Sequence, residues 1–130
     1  MFDINTTDTS PIWQQIEEGM RRMIALGSLK PGDAVPSVRD LARTLRVNPN
    51  TVARAYQRLT DHGIFSVRRG DGTYVADSPV QPGRSERNEK LREAATRYAG
   101  VAIAVGASPA EACDELKDSF ARLVKEHRKP

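Results

Sequence analysis

From residue 48 to 58 the chain reads NPNTVARAYQR, and Asn50, Arg54, Gln57 and Arg58 fall at the three- and four-residue intervals of one helical face. Amide and guanidinium groups are the side chains that pair two-pronged with purine edges in the major groove, and Thr51 suits a phosphate or a thymine methyl. Upstream, Arg39, Arg43 and Arg46 recur at the same intervals, a cationic row turned away from the apolar face and free to meet an anion. Downstream, Arg69-Gly70-Asp71-Gly72 is small and basic enough to lie close to a backbone. The chemistry implied is recognition of a polyanion, not the making or breaking of bonds.

Other chemistries find little footing. No nucleophile motif accompanies the Ser, His and Asp residues, and Gly70-Asp71-Gly72 lacks the length and the Lys-Ser/Thr ending of a phosphate loop. His62, His127 and Cys113 stand at no recognised ligand spacing, so no metal, cofactor or catalytic residue is expected and the chain is read as a non-enzyme. The single cysteine excludes an internal disulfide, and no apolar run approaches the ~20 residues of a membrane span. Without a secretory pattern at residues 1–10, a soluble cytoplasmic protein with no membrane partner is the expectation. The net charge of the 130 residues is only +3, yet residues 37–69 hold seven arginines (Arg39, Arg43, Arg46, Arg54, Arg58, Arg68, Arg69) against Asp40 and Asp61. Positive charge concentrated on the face that carries the amides is the electrostatic footprint of a DNA binder.

The elements that must hold these groups can be read from caps and periodicity. Ser37 caps a helix whose apolar face is Val38, Leu41, Ala42 and Leu45, with Asp40 completing a capping box. Asn48 caps the next helix, with Pro49 at its first position, Val52, Ala55, Tyr56 and Leu59 inward, and His62-Gly63 as its stop. Phe65 and Val67 alternate with Ser66 and Arg68, Thr73-Tyr74-Val75 returns, and the glycines between them suit a primed hairpin turn. Helix, turn, helix and hairpin in this order make a winged helix.

Residues 29–59, LKPGDAVPSVRDLARTLRVNPNTVARAYQRL, followed by RRGDGTYV at 68–75, resemble the DNA-binding domain of the GntR family of bacterial transcription regulators across nearly its whole length. The combination of PG, PSxRxLA, VxxxTVxRAYxxL and GxGTYV is specific where each piece alone would be weak. The resemblance implies that Arg39 contacts DNA from the positioning helix, that Asn48, Asn50 and Thr51 sit at the reading end of the recognition helix, and that Arg69-Gly70 enters the minor groove. Pro49 stands where many members carry an arginine, which shifts base preference onto Asn50 and Arg54. Arg43, Arg46, Arg58 and Arg68 are read as phosphate contacts or solvated charges.

The remaining chain supports this unit. Phe2 and Ile4 alternate with polar residues as a brief strand or ordered arm; Ser10 as cap and Pro11 as first residue open a first helix with the core stripe Trp13, Ile16, Met20, Met23 and Ile24, which Gly27 ends. SPVQPGRS marks a linker at 78–85. Beyond it, Leu91, Ala94, Ala95, Tyr98, Val101, Ala102 and Val105 form one helical stripe. Ser108-Pro109-Ala110-Glu111 opens a last helix whose apolar face is Ala112, Leu116, Phe120, Leu123 and Val124, with a basic ending, LVKEHRKP. Two helices cannot bury so broad an apolar surface alone, so a second copy of the chain is the expected partner, paired about a twofold axis.

The expected fold is therefore mostly α with a small β-hairpin (α+β): a winged helix-turn-helix domain at 1–77, the linker, and a two-helix dimerisation segment at 86–130. The short helical tail resembles the YtrA subfamily, which implies a local repressor, often of a transporter operon. The expected function is a homodimeric repressor that binds a pseudo-palindromic double-stranded DNA operator through a recognition helix at 49–62 and a wing at 64–76. The alternative is a winged helix used as a protein-interaction module. No residue pattern identifies a small-molecule effector.

Overall fold

The first helix follows from its apolar stripe. Ile16, Met20 and Met23 are all buried on α1 (Ile12–Ala25), with Trp13 and Ile24 half-buried at its margin. The computed structural model describes residues 1–127 and divides into two units, residues 1–80 with 126–127, and residues 81–125. Arg128 and Lys129 of the expected basic ending lie outside the described residues.

The start of α1 differs from the expected Ser10 cap by one position. Pro11 is itself the cap residue, and its carbonyl accepts from the amides of Gln14 and Gln15 at 3.1 Å. Ser10 is occupied elsewhere: its amide donates to the Asp8 carboxylate at 2.9 Å and its carbonyl accepts from the Gln15 side chain at 3.1 Å. Gln15 also exchanges hydrogen bonds of 2.8 and 2.9 Å with the backbone of Asn5, so the leading residues form an ordered arm instead of a strand. That arm carries Phe2 into the core beside Gly19. At the other end, α1 closes at Ala25 with Leu26 as cap, and Gly27 at φ 79 stops it as expected.

Helix α2 (Val38–Leu45) buries Leu41 and Ala42 and is capped by the Ser37 hydroxyl, which accepts from the Asp40 amide at 3.1 Å. The capping box is only half made, because the Asp40 carboxylate turns to Arg43 at 3.4 Å. The expected arginine row also breaks: Arg46 lies past the helix end at φ 58 and leaves the face of Arg39 and Arg43. Helix α3 (Pro49–Asp61) starts as its sequence requires, with the Asn48 side chain accepting from the Asn50 amide at 2.8 Å. Its inward residues Val52, Ala55, Tyr56 and Leu59 are buried against α1 and α2. Tyr56 meets Phe65 edge to face at 5.1 Å, and its hydroxyl donates to the Pro36 carbonyl at 2.6 Å. Burial pushes the Tyr56 phenol pKa well above its ordinary value.

Strands β1 (Phe65–Arg68) and β2 (Gly72–Val75) pair antiparallel, with Phe65 opposite Val75 and Arg68 opposite Gly72. Three residues, 69–71, connect the paired ends. The Asp71 amide donates to the Arg68 carbonyl at 2.9 Å, and within this turn only Gly70 has positive φ, 76°. The sign pattern is that of a type II turn, which corrects the expected primed one. The segment before α2 adds a short third rung, with Ala34 bridged to Tyr74 and the Val35 amide donating to Thr73 at 3.0 Å.

The second unit contains α4 (Arg84–Ala104) and the body of α5 (Pro109–His127). Helix α4 begins inside the stretch read as linker. The capping box at Ser108 is complete: the Glu111 amide donates to the Ser108 hydroxyl at 3.1 Å and the Ser108 amide to the Glu111 carboxylate at 3.0 Å. These bonds hold the Glu111 carboxyl below its usual range. The Tyr98 hydroxyl donates to the Ala112 carbonyl at 2.7 Å and ties the two helices together. Ala102 is buried, whereas Val101, Ile103, Val105 and Phe120 are 61–77% exposed.

The final residues of α5 belong to the first unit. His127 is fully buried, stacked on Phe2 at a centroid distance of 6.1 Å, and Arg22 Nε donates to its Nε2 at 3.2 Å. The Ser28 hydroxyl donates to the His127 carbonyl, and the Asp3 amide to the Glu126 carboxylate at 3.2 Å.

A Cβ at Gly19 would stand 2.6 Å from the Phe2 ring. Alanine in a helix interior ordinarily stabilises by about 1 kcal/mol relative to glycine. Gly19→Ala is instead expected to cost about 1–3 kcal/mol through overpacking. The same change made in a Phe2→Ala background should be neutral or stabilising, as read by urea or thermal unfolding.

Candidate nucleic-acid interface

Asn48 and Pro49 set where α3 begins, and that start decides which side chains leave the protein. With Val52, Ala55 and Leu59 inward, Asn50 and Arg54 are exposed and Thr51 is half-buried at the first turn. Asn48 is exposed too, with its carbonyl oxygen committed to the cap, which leaves its amide nitrogen to reach outward. Arg39 is exposed on α2, and Arg69 and Gly70 are exposed at the tip of the hairpin. Neither Arg39 nor Asn50 side chain is engaged in a hydrogen bond or ion pair among the described residues. Arg43 pairs with Asp40 across 3.4 Å with both side chains more than 60% exposed, a contact worth little in water.

Two residues of the expected outward face have partners of their own. Gln57 donates to the Asp61 carboxylate at 2.8 Å, one helical turn along. Arg58 is half-buried and turns toward α1, with its Nε donating to Glu17 at 2.9 Å. Its position i+4 from Arg54 was legible, but the carboxylate that draws it inward comes from another helix.

That carboxylate is the main feature sequence reasoning missed. Glu17 lies within the apolar stripe of α1, and its side chain is 9% exposed. Three cationic or potentially cationic groups surround it: Arg58 at 2.9 Å, Arg21 at 3.5 Å and His62 at 3.6 Å. Arg21 also lies 3.4 Å from His62 Nδ1. Burial alone would raise the Glu17 pKa, but the hydrogen bonds and charges of Arg58 and Arg21 outweigh it and hold the carboxyl below its ordinary value. The available signal was spacing: Trp13, Glu17 and Arg21 stand four residues apart, so one charged residue had to share a partly buried face with a tryptophan.

Trp13 is the second missed residue. The guanidinium of Arg54 lies over its ring at 4.6 Å from the centroid and that of Arg58 at 4.5 Å. Both distances fall inside the range of cation–π attraction. The hairpin repeats the device, with Arg68 over the Tyr74 ring at 3.9 Å. A hydrogen bond from Tyr74 to the Asp71 carboxylate raises the phenol pKa.

The arrangement offers an amide and a guanidinium on the exposed face of a helix, with further cations on α2 and the hairpin tip. It can meet a duplex through base edges and phosphates. Among the described residues no three His, Cys, Asp or Glu side chains converge on a common point where a metal could sit. No helix among the described residues is long and apolar enough to cross a membrane.

Residues 12–75 match the model of a protein family described as bacterial regulatory proteins, gntR family. The chain is 37% identical to the HTH-type transcriptional repressor YtrA of Bacillus subtilis, over 79% of this chain and 84% of that one. It is similar to the solved structure of YtrA from Sulfolobus acidocaldarius, a GntR-family transcription factor, with TM-score 0.55, 34% identity, and 93% and 97% of the two chains covered. A transcriptional antiterminator from Listeria monocytogenes superposes with TM-score 0.72 at 27% identity, covering 95% of this chain and 92% of that one.

The Glu17 cluster sets a pH dependence whose sign follows from its lowered pKa. The folded state binds fewer protons than the unfolded chain, so the stabilisation is complete above the ordinary value of 4.5 and is lost as pH falls through the lower folded value. Glu17→Gln is expected to cost about 1–3 kcal/mol at neutral pH, because it removes a charged acceptor from Arg58. The difference in melting temperature between variant and wild type should shrink as pH is taken below 4.5.

Proposed function

Because the chain belongs to the gntR family of bacterial DNA-binding transcriptional regulators, we propose that it acts in the cytoplasm as a homodimeric repressor of a nearby operon, of the transporter type. Each subunit reads one half of a pseudo-palindromic operator, with recognition helices about 34 Å apart, one turn of DNA. The observation that carries this reading is the exposed polar face of α3, Asn50 with Arg54, on the same unit as the basic hairpin tip Arg69-Gly70.

Roles divide by chemistry. Asn50 and Arg54 read base edges, Asn48 and Thr51 anchor the helix start against the backbone, Arg39 holds phosphate from α2, and Arg69 with Gly70 lies along the minor groove. Arg58, held by Glu17, supports this surface from behind.

Pairing of two copies rests on the second unit. Val101, Ile103, Val105 and Phe120 expose apolar area on a two-helix unit too small to cover itself. A second copy supplies the same apolar surface about a twofold axis.

Duplexes selected by the protein from a random-sequence pool test the reading: a two-part palindrome is expected, and a pool that stays random refutes it. On the selected duplex, Arg39→Ala should weaken binding to all sequences alike, whereas Asn50→Ala should relax choice at one base position per half-site, at about 1–3 kcal/mol. If roughly 6–10 phosphates are neutralised, affinity should fall about 10³- to 10⁵-fold between about 50 and 200 mM salt. Sedimentation at micromolar concentration should give a dimer for the wild type and a monomer for Phe120→Glu.

A further inference from the structure

We propose that Trp13, the chain's one tryptophan, is a positioning residue for base reading: its indole face holds the guanidinium of Arg54 in a fixed plane while leaving that group's hydrogen-bond donors unspent. The inference rests on the assignment of Arg54 as a reader in the proposed function.

The geometry forms a relay from the core to the surface. Glu17, with its side chain 9% exposed, fixes Arg58 through a 2.9 Å hydrogen bond. Arg58 in turn lies over the Trp13 ring at 4.5 Å, and the same indole takes Arg54 at 4.6 Å. Arg54 itself is exposed and has no carboxylate partner among the described residues, so the indole is the group that orders it.

A tryptophan does here what an acidic residue could not. A carboxylate would order the arginine by accepting two of its five N–H groups, the same fork that pairs with guanine O6 and N7. It would also cancel the charge that attracts the duplex. An aromatic face attracts the flat side of the cation and leaves the edge donors free. The long arginine side chain is then partly ordered before DNA arrives, which lowers the entropy lost on binding.

The test is a double-mutant cycle on Trp13→Leu and Arg54→Ala. Its readout is the ratio of affinities for a duplex selected by the wild-type protein and for a scrambled duplex of equal length. Trp13→Leu is expected to lower that ratio about threefold to tenfold, Trp13→Phe to restore most of it, and Trp13→Leu to add nothing once Arg54 is alanine. Equal loss on both duplexes, or full additivity in the double variant, overturns the positioning role. A wild-type protein without preference for its selected duplex overturns the DNA-reading assignment and this inference with it. Trp13 emission gives a second measurement that needs no replacement of the tryptophan. Arg54→Ala should shift that emission in the free protein, and an unchanged spectrum overturns the contact.

Discussion

A buried carboxylate bound by surrounding cations fixes how the first helix meets the third. Glu17 sits in the stripe that α1 buries, and leaving it charged there without partners would be costly. Arg58 from α3 answers it at 2.9 Å, with Arg21 and His62 beside it. Helices that meet only through apolar side chains can slide by fractions of a turn at modest cost; a hydrogen-bonded ion pair inside the contact penalises such a slip. The azimuth of α3 follows, and with it which residues face solvent. Asn50 and Arg54 are outward because Val52, Ala55 and Leu59 are inward and because Arg58 is tied to one spot on α1.

Much of this was legible from local chemistry. Asn48-Pro49 and Ser108-Pro109 with Glu111 state their helix starts in adjacent residues, and the structure forms both caps. The hairpin follows from alternation and glycine, and the belonging to a family of regulators from motifs spread over residues 29–75. What escaped were the choices made among competing partners, some a turn away and one on another helix. Ser10 loses its cap because Asp8 and Gln15 claim its backbone, Asp40 leaves its capping box half made because its carboxylate accepts from Arg43, and Arg58 turns inward because Glu17 lies on another helix. Arg46 drops from the arginine row because α2 stops first. Periodicity describes one helix at a time and cannot see across a contact.

The second unit shows the same limit from the other side. Its internal bonds, the reciprocal Ser108–Glu111 cap and the Tyr98 hydroxyl on Ala112, are polar and local, and they define a helical hairpin without covering it. Helices within proteins gain most of their stability from an apolar face packed against something. Ile103 at 77% and Phe120 at 69% exposure lack that cover among the described residues, so the polar bonds alone set the shape of this helical hairpin.

The seat of Phe2 bears on the order in which the protein matures during synthesis. The N-terminal arm is held partly by His127 and Glu126, more than a hundred residues later in the chain. Closing so long a loop is slow compared with forming the local helices and the hairpin. As the chain emerges from the ribosome, α1, α2, α3 and the wing can assemble early, while the arm keeps a provisional place until the last turn of α5 has been made. Residues translated before α1 are thus among the last to reach their final packing.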